Sequence, residues 1–557
     1  KRVDAAAERV FLPARDMEIL MKKEDIPLFS LENYRPLTDF NIIGFSLQHE
    51  LCYTNVLHTL YLGNLPLHSA DRDESFPLII AGGPSAFNPE PLADFIDLFV
   101  IGDGEDVIGE IIDVYQQWAN KTKSKTKYDL LLSLSKLKGI YIPSFYKVNY
   151  KEDGTIDSFQ KKVAEIDLPV KKRITLDLNK APYPDFPIVP NIDVVHNRIT
   201  LEIFRGCTRG CRFCQAGIIY RPIRERSAKT IFAMAENSLK NTGYDEVSLS
   251  SLSSSDHSCI SQITDTLVNC YKDIGVAVSL PSLRIDSFSV QLARQTQQVR
   301  KTGLTFAPEV GTKRMSNVIN KNVSEDDLYQ TVQDALKEGW QRIKLYFMIG
   351  LPTETWNDID GIIDIIKKVE AIGKQKKGKR FTLSVSINSF IPKAHTPFQW
   401  VTQENEKSLQ EKFAYIADRL RNKKNISYSF PDTELSVLES VFARGDRRLG
   451  LVIEDAYTLG CKFDTWREFF DFNKWEQAFQ KNNIMVDFYT YRERSKEEIL
   501  PWDLIDCGVN KSFLWSEWEK ASQEITTDDC RNASCHNCGL QEICSSFKKA
   551  NIKKELS

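Results

Sequence analysis

Three cysteines stand in one short stretch, Arg205-Gly206-Cys207-Thr208-Arg209-Gly210-Cys211-Arg212-Phe213-Cys214, at C-x3-C-x2-C spacing. Three thiolates on one loop can hold a single metal centre. Glycines let such a loop fold back on itself, and the arginines are expected to favour thiolate over thiol. A cubane iron–sulfur cluster ordinarily takes four cysteines. A set of three therefore leaves one iron open to a ligand from outside the protein. Zinc is the competing reading, but zinc sites pair cysteines as C-x2–4-C with a second pair further on. A second group lies at Cys530-x4-Cys535-His536-Asn537-Cys538-x5-Cys544. Four thiols make a closed ligand set, suited to an auxiliary [4Fe–4S] cluster or a structural zinc. The imidazole of His536 could replace one of them.

These groups sit in a chain of 557 residues, a length for two to four domains. A hydrophobic content of 42% supports large cores, and 27% charged residues suit a soluble protein. The net charge of −3 provides no overall basic field for nucleic acid, which leaves only a local patch for that role. No apolar run is long enough to span a membrane. Cysteines clustered in this way read as metal sites in a reducing, cytoplasmic setting rather than as a secreted disulfide framework. Cys259 and Cys270 stand alone and read as small buried apolar residues. The chain opens on Lys1 inside a pattern of helix and strand already under way, so residues are expected to precede it.

The elements that must position the thiols follow from patterning. In residues 1–150, apolar runs at 40–47, 77–81 and 98–101 alternate with helical patterns, which argues for a doubly wound, mostly parallel sheet. Gly82, Gly83, Gly102 and Gly104 fall at strand ends, where such folds bind ligands and glycine admits close backbone approach. Residues 151–198 are polar and then proline-rich, and read as an extended linker. Residues 199–400 hold six strand-like runs, beginning at 199, 246, 276, 304, 342 and 382. They make a partial barrel whose active site should lie at the C-terminal strand ends. Ser251, Ser253, Glu309 and Gly350 stand there. Glu309 can accept hydrogen bonds from a ribose or an ammonium, and Arg284 or Arg314 can pair a carboxylate bidentately. Residues 401–557 read as helical. Their aromatics, including Trp466, Trp475, Phe479 and Trp502, serve a core or, beside arginines, stack on a nucleobase. His49, His58, His68 and His395 read as structural.

The cysteine loop, with Phe213 before its last cysteine, resembles the signature of the radical S-adenosylmethionine (SAM) superfamily. The resemblance implies that Cys207, Cys211 and Cys214 hold a [4Fe–4S] cluster whose fourth iron is chelated by the amino and carboxylate groups of SAM. One electron then cleaves the sulfonium to a 5′-deoxyadenosyl radical, which abstracts hydrogen from a substrate. Ser251 and Ser253 stand where many relatives meet the methionine amino group, and Gly350 where the family packs backbone against adenine. Residues 1–150 resemble a cobalamin-binding domain, with the pattern at 82–105 as its usual second half but without the Asp-x-His-x-x-Gly motif; a degenerate Rossmann-like domain is the other reading. The implied fold class is α/β: an N-terminal Rossmann-like domain of cobalamin-binding type, a partial (β/α)6 radical SAM barrel, and a mostly helical C-terminal region with a four-Cys metal site. The implied activity is cobalamin-dependent methylation of an unactivated carbon. Its alternatives are cobalamin-independent sulfur transfer or rearrangement, RNA modification included, and a non-catalytic RNA-binding or iron–sulfur sensor protein. Expected partners are a reductant such as flavodoxin or ferredoxin and an unspecified substrate, RNA among the candidates.

Overall fold

The computed structural model describes residues 2–121, 125–192, 194–280, 285, 303–421 and 423–544. Arg284 and most of the 281–302 stretch lie outside them. Four strands, β1 (Ile42–Ser46), β2 (Leu78–Gly82), β3 (Leu98–Val100) and β4 (Ile140–Tyr141), form the first sheet in sequential order. The first three are parallel and β4 is antiparallel. β2 is Leu-Ile-Ile-Ala-Gly and buried over its first four residues, as a strand covered on both faces must be. Its core is shared with the far end of the chain. Ile79, Leu57 and Phe99 belong to the same buried cluster as Phe442, Trp475, Phe479 and Trp502. Those C-terminal aromatics are therefore core, while Trp466 is exposed.

Residues 151–198 are not simply a linker. β5 (Tyr146–Tyr150) and β6 (Ile156–Lys161) form an antiparallel hairpin, closed around Asp153-Gly154. β7 (Val170–Lys171) is laid against a strand from near the end of the chain, described below. Only the stretch beyond it is extended and proline-rich.

The barrel strands form two parallel sheets. β8 (Ile199–Glu202) leads, through a short pair β9 (Phe204–Arg205) and β10 (Arg224–Glu225), to β11 (Glu246–Ser250) and β12 (Ala277–Ser279). The order is β12-β11-β8. The second sheet runs β13 (Leu304–Glu309), β14 (Arg342–Ile349), β15 (Thr382–Ser389) and β16 (Ile426–Ser429). β16 adds a seventh strand beyond the expected boundary at residue 400, joined by the helix Glu406–Arg419. Strand periodicity separates two faces. Leu345, Phe347, Leu383, Val385 and Ile387 pack on helix residues such as Ile359, Ile362 and Ile366. Lys344, Tyr346, Met348, Ser384, Ser386 and Asn388 alternate with them, on the other face. β17 (Ile505–Asp506) pairs back onto β7. Cys259 and Cys270 are exposed, not buried as expected, because both lie on the solvent side of the helix region around Ile260–Tyr271. No helix among the described residues is long and apolar enough to cross a membrane.

Candidate metal centre and substrate cavity

The cysteine loop follows β9 and ends in the short helix Ala216–Ile219. Its tight return needs glycine at 206, where φ is 92° and a Cβ would sit 2.5 Å from the Pro222 carbonyl oxygen. Cys207, Cys211 and Cys214 are partly exposed and free of disulfides. The arginines around them hold carboxylates and backbone. Arg205 is paired with Glu202 and Asp103, each at 2.8 Å, and with Glu105. Arg209 pairs with Asp256 and stands 3.6 Å from Asp529. Arg212 is wholly buried; it donates to the carbonyls of Asn317, Val318 and Ile525 and pairs with Glu517. Each guanidinium is committed to a carboxylate or to backbone, which fixes the loop rather than its charge. Burial, with Cys211 and Cys207 nearby, pushes the Cys214 thiol up to about 12. The Gly217 N–H, 3.4 Å from Sγ, and the Lys321 charge work the other way. Iron bound at these thiols would supply further positive charge, since a coordinated thiol is deprotonated outright. Three soft donors on one loop fit a cluster with an open iron.

The strand-end residues fare unevenly. Glu309 ends β13 with φ 70°, a left-handed conformation uncommon outside glycine, and its carboxylate is 3.1 Å from Lys321 Nζ. Ser251 Oγ lies 3.0 Å from Ser254 Oγ, and Ser253 is buried. Gly350 donates its N–H to Glu354 at 2.9 Å, and a Cβ there would stand 3.1 Å from Glu404 and Leu409. Its lack of a side chain is thus explained by packing within the chain. Arg314 is paired with Asp358 and donates to the Thr353 carbonyl at 2.7 Å.

A cavity of about 330 Å³ opens at the C-terminal ends of β14 and β15, with Phe213, Met348, Ser389, Phe390, Lys393 and Glu439 among its walls. The Ser389 hydroxyl is buried there without a hydrogen-bond partner. Lys393 Nζ lies 2.9 Å from Glu50 and 2.7 Å from Glu439, and His49 stands 3.2 Å from Glu439. Glu439 raises the His49 pKa, and Lys393 beside Glu439 holds that carboxylate low. Glu50, Ser389, Lys393 and Glu439 carried no motif. Lys393 alone had a signal, as a lone cation in the apolar Phe390–Trp400 stretch. His395 is structural, buried with Nε2 2.9 Å from the Phe87 carbonyl oxygen.

At the first sheet the glycines admit the chain itself. The Gly82 carbonyl accepts from the Leu47 N–H at 2.7 Å. A Cβ at Gly83 would meet Leu47 O at 2.7 Å, and one at Gly102 would meet Arg173 O at 2.2 Å. At Gly83 and Gly102 the chain itself fills the space, while a Cβ at Gly82 would come no nearer than 3.5 Å to Val100. Gly104 alone has nothing within 4 Å of that point.

Residues 1–143 match the family described as "Radical SAM proteins, N-terminal", and residues 201–393 match "Radical SAM superfamily". The chain is 30% identical over 433 residues to the uncharacterized protein MJ0966 of Methanocaldococcus jannaschii, covering 77% of this chain and 83% of that one. The chain belongs to the radical SAM superfamily and is a radical SAM enzyme. Among solved structures it is similar to the radical SAM methyltransferase TsrM from Kitasatospora setae, with a TM-score of 0.43 and 10% identity over 69% of this chain. It spans 66% of TsrM, just under two thirds of that protein's length. It is also similar to the cobalamin-dependent SAM radical enzyme OxsB, with a TM-score of 0.42 and 12% identity over 92% of this chain and 76% of that one.

Proposed function

We propose that Cys207, Cys211 and Cys214 hold a [4Fe–4S] cluster at which SAM is reductively cleaved, and that the radical takes hydrogen from a substrate in the cavity at Ser389 and Lys393. One observation carries this reading: Phe213, the neighbour of Cys214, is itself a wall of that cavity. The cluster, when bound, supplies the electron that breaks the sulfonium. The chain's own residues do the rest. Glu309, in its strained conformation, presents a carboxylate to the ribose or ammonium of SAM, a use consistent with strain gathering at working sites. The Ser389 hydroxyl and the Lys393 ammonium orient a polar substrate, while Phe213, Met348 and Phe390 keep water from the radical. The electron comes from a reductant of the flavodoxin or ferredoxin class, and the setting is the reducing cytoplasm. Anaerobically reconstituted protein should form 5′-deoxyadenosine from SAM with dithionite, and Cys211→Ala should form none. Equal yields would sink the reading.

The finer reaction is methylation of an unactivated carbon with methylcobalamin as donor. The doubly wound N-terminal sheet supports it. The only expected glycine open to a corrin is Gly104, so the fit rests on that side of the sheet. Cobalamin retained stoichiometrically through gel filtration would support methylation. Without retention, the reaction is a cobalamin-independent one.

A further inference from the structure

We propose that Cys530, Cys535, Cys538 and Cys544 hold a second iron–sulfur cluster, latched onto the cysteine loop as the inlet through which electrons reach the first. This rests on the cleavage reading above and adds a metal site and a route.

The tail is built as a site. Asn510 N–H donates to the Cys538 carbonyl at 2.8 Å, and Leu540 is buried in the main core. At Gly539, φ is 113° and a Cβ would meet Gly508 O at 2.7 Å, so this knuckle is clamped onto the Gly508–Asn510 turn. Cys538 and Cys544 pack against that core. Cys530 and Cys544 each lie within electrostatic range of the other tail thiols. His536 is turned away, with Nε2 2.8 Å from the Asp528 carbonyl oxygen, so the donors are sulfur.

Four sulfurs complete the ligand set of a cubane, one to each iron. The tail is also held against a loop that already offers three thiolates to such a cluster, as the contacts below show.

The latch sets the route. Thr208 Oγ1 donates to Asp529 at 2.7 Å, so the Cα atoms of Cys207 and Cys530 are at most about 18 Å apart, given 3.8 Å between successive Cα atoms and bonds near 1.5 Å. Arg531 lies 2.7 Å from Asp529 and 3.3 Å from Asp256, which also holds Arg209. Asn320 donates to the carbonyls of Gly210 and Thr527 at 3.2 and 2.9 Å. Arg221 donates to the Cys207 carbonyl at 3.3 Å, and its charge reaches Cys530. One electron enters the tail centre from a flavodoxin- or ferredoxin-class donor and passes to the loop centre. There it cleaves the C5′–S bond, leaving methionine and the 5′-deoxyadenosyl radical, with both centres returned to their oxidised state.

The test uses the full chain, reconstituted without oxygen. Wild type should carry about eight irons and eight sulfides, and the Cys207→Ala/Cys211→Ala/Cys214→Ala variant about four of each, with an electron paramagnetic signal on reduction. Cys535→Ser/Cys538→Ser should keep dithionite-driven 5′-deoxyadenosine but lose at least tenfold with reduced flavodoxin. One zinc in place of the second four irons would overturn the proposal. So would equal loss, or no loss, with both reductants, which would leave the tail a staple. Should wild type form no deoxyadenosine with dithionite, the cleavage reading fails, while the iron count of the triple variant still decides the tail.

Discussion

The C-terminal edges of the first sheet, β1–β4, and of the barrel sheet β13–β16 look alike in sequence and are used differently. At the first, Gly83 and Gly102 face the backbones of Leu47 and Arg173. Asp103 receives Arg205 and Arg224. The Asn88 amide donates to the Gly445 carbonyl at 3.0 Å. That edge is a docking face on which the barrel and the C-terminal helices sit. At the second, the strands end in a left-handed Glu309, a Ser389 hydroxyl with no partner among the described residues, and a cavity walled in part by Phe213, the neighbour of Cys214. The strand-end rule finds where loops congregate. Whether a ligand or the chain itself fills the space is decided by the atoms around each missing Cβ, and these are not written in the glycine.

If the second edge is the working one, Cys207→Ala should have the largest effect on chemistry: no detectable 5′-deoxyadenosine, with little change in the thermal midpoint of the metal-free chain. A midpoint drop as large as that from a core truncation would instead make the loop structural. Lys393→Met should come next, as it takes the lysine from Glu50 and leaves Glu439 with His49 alone. Breaking a buried pair from one side costs about 3–5 kcal/mol, read from denaturant midpoints, and adding Glu439→Gln should recover part of the loss.

The docking face should answer to pH. Burial lowers the His395 pKa from 6.5 to about 4. The unfolded chain therefore takes up this proton first as pH falls. Stability from this group is complete above pH 6.5 and is lost towards pH 4, by ~3 kcal/mol. His395→Asn, which tolerates the left-handed backbone at this position, should be less sensitive to acid over that window. An unchanged pH profile would mean that the imidazole is not buried neutral. Gly102→Ala should cost about 2–3 kcal/mol through strain and contact with Arg173, whereas Gly104→Ala should stay within about 0.5 kcal/mol. A reversal of that pair would reopen the first edge to a ligand.

Much of this was legible. Cysteine spacing marks the loop because a cluster dictates spacing directly, and the buried strands β2, β14 and β15 announce themselves by apolar runs or alternation. β16 was missed because Ile426-Ser427-Tyr428-Ser429 buries only its first residue, so it has no apolar run to notice. The hairpin of β5 and β6 did carry a signal, Asp153-Gly154 between alternating residues, which marks a turn. The roles of Arg205, Arg209 and Arg212 were illegible. Their partners Asp103, Asp256, Glu517 and Ile525 lie far along the chain, and no local pattern names them.

Arg212 donates to a carbonyl 313 residues further on. Since synthesis runs from the N-terminus at about 5–20 residues per second, the cysteine loop emerges long before Ile525 and Asp529 exist to secure it. During that interval its thiols hang on an unfinished scaffold. A cluster in this loop would thus meet its finished receptor only once Ile525 and Asp529 have been made, so that the tail would gate its insertion.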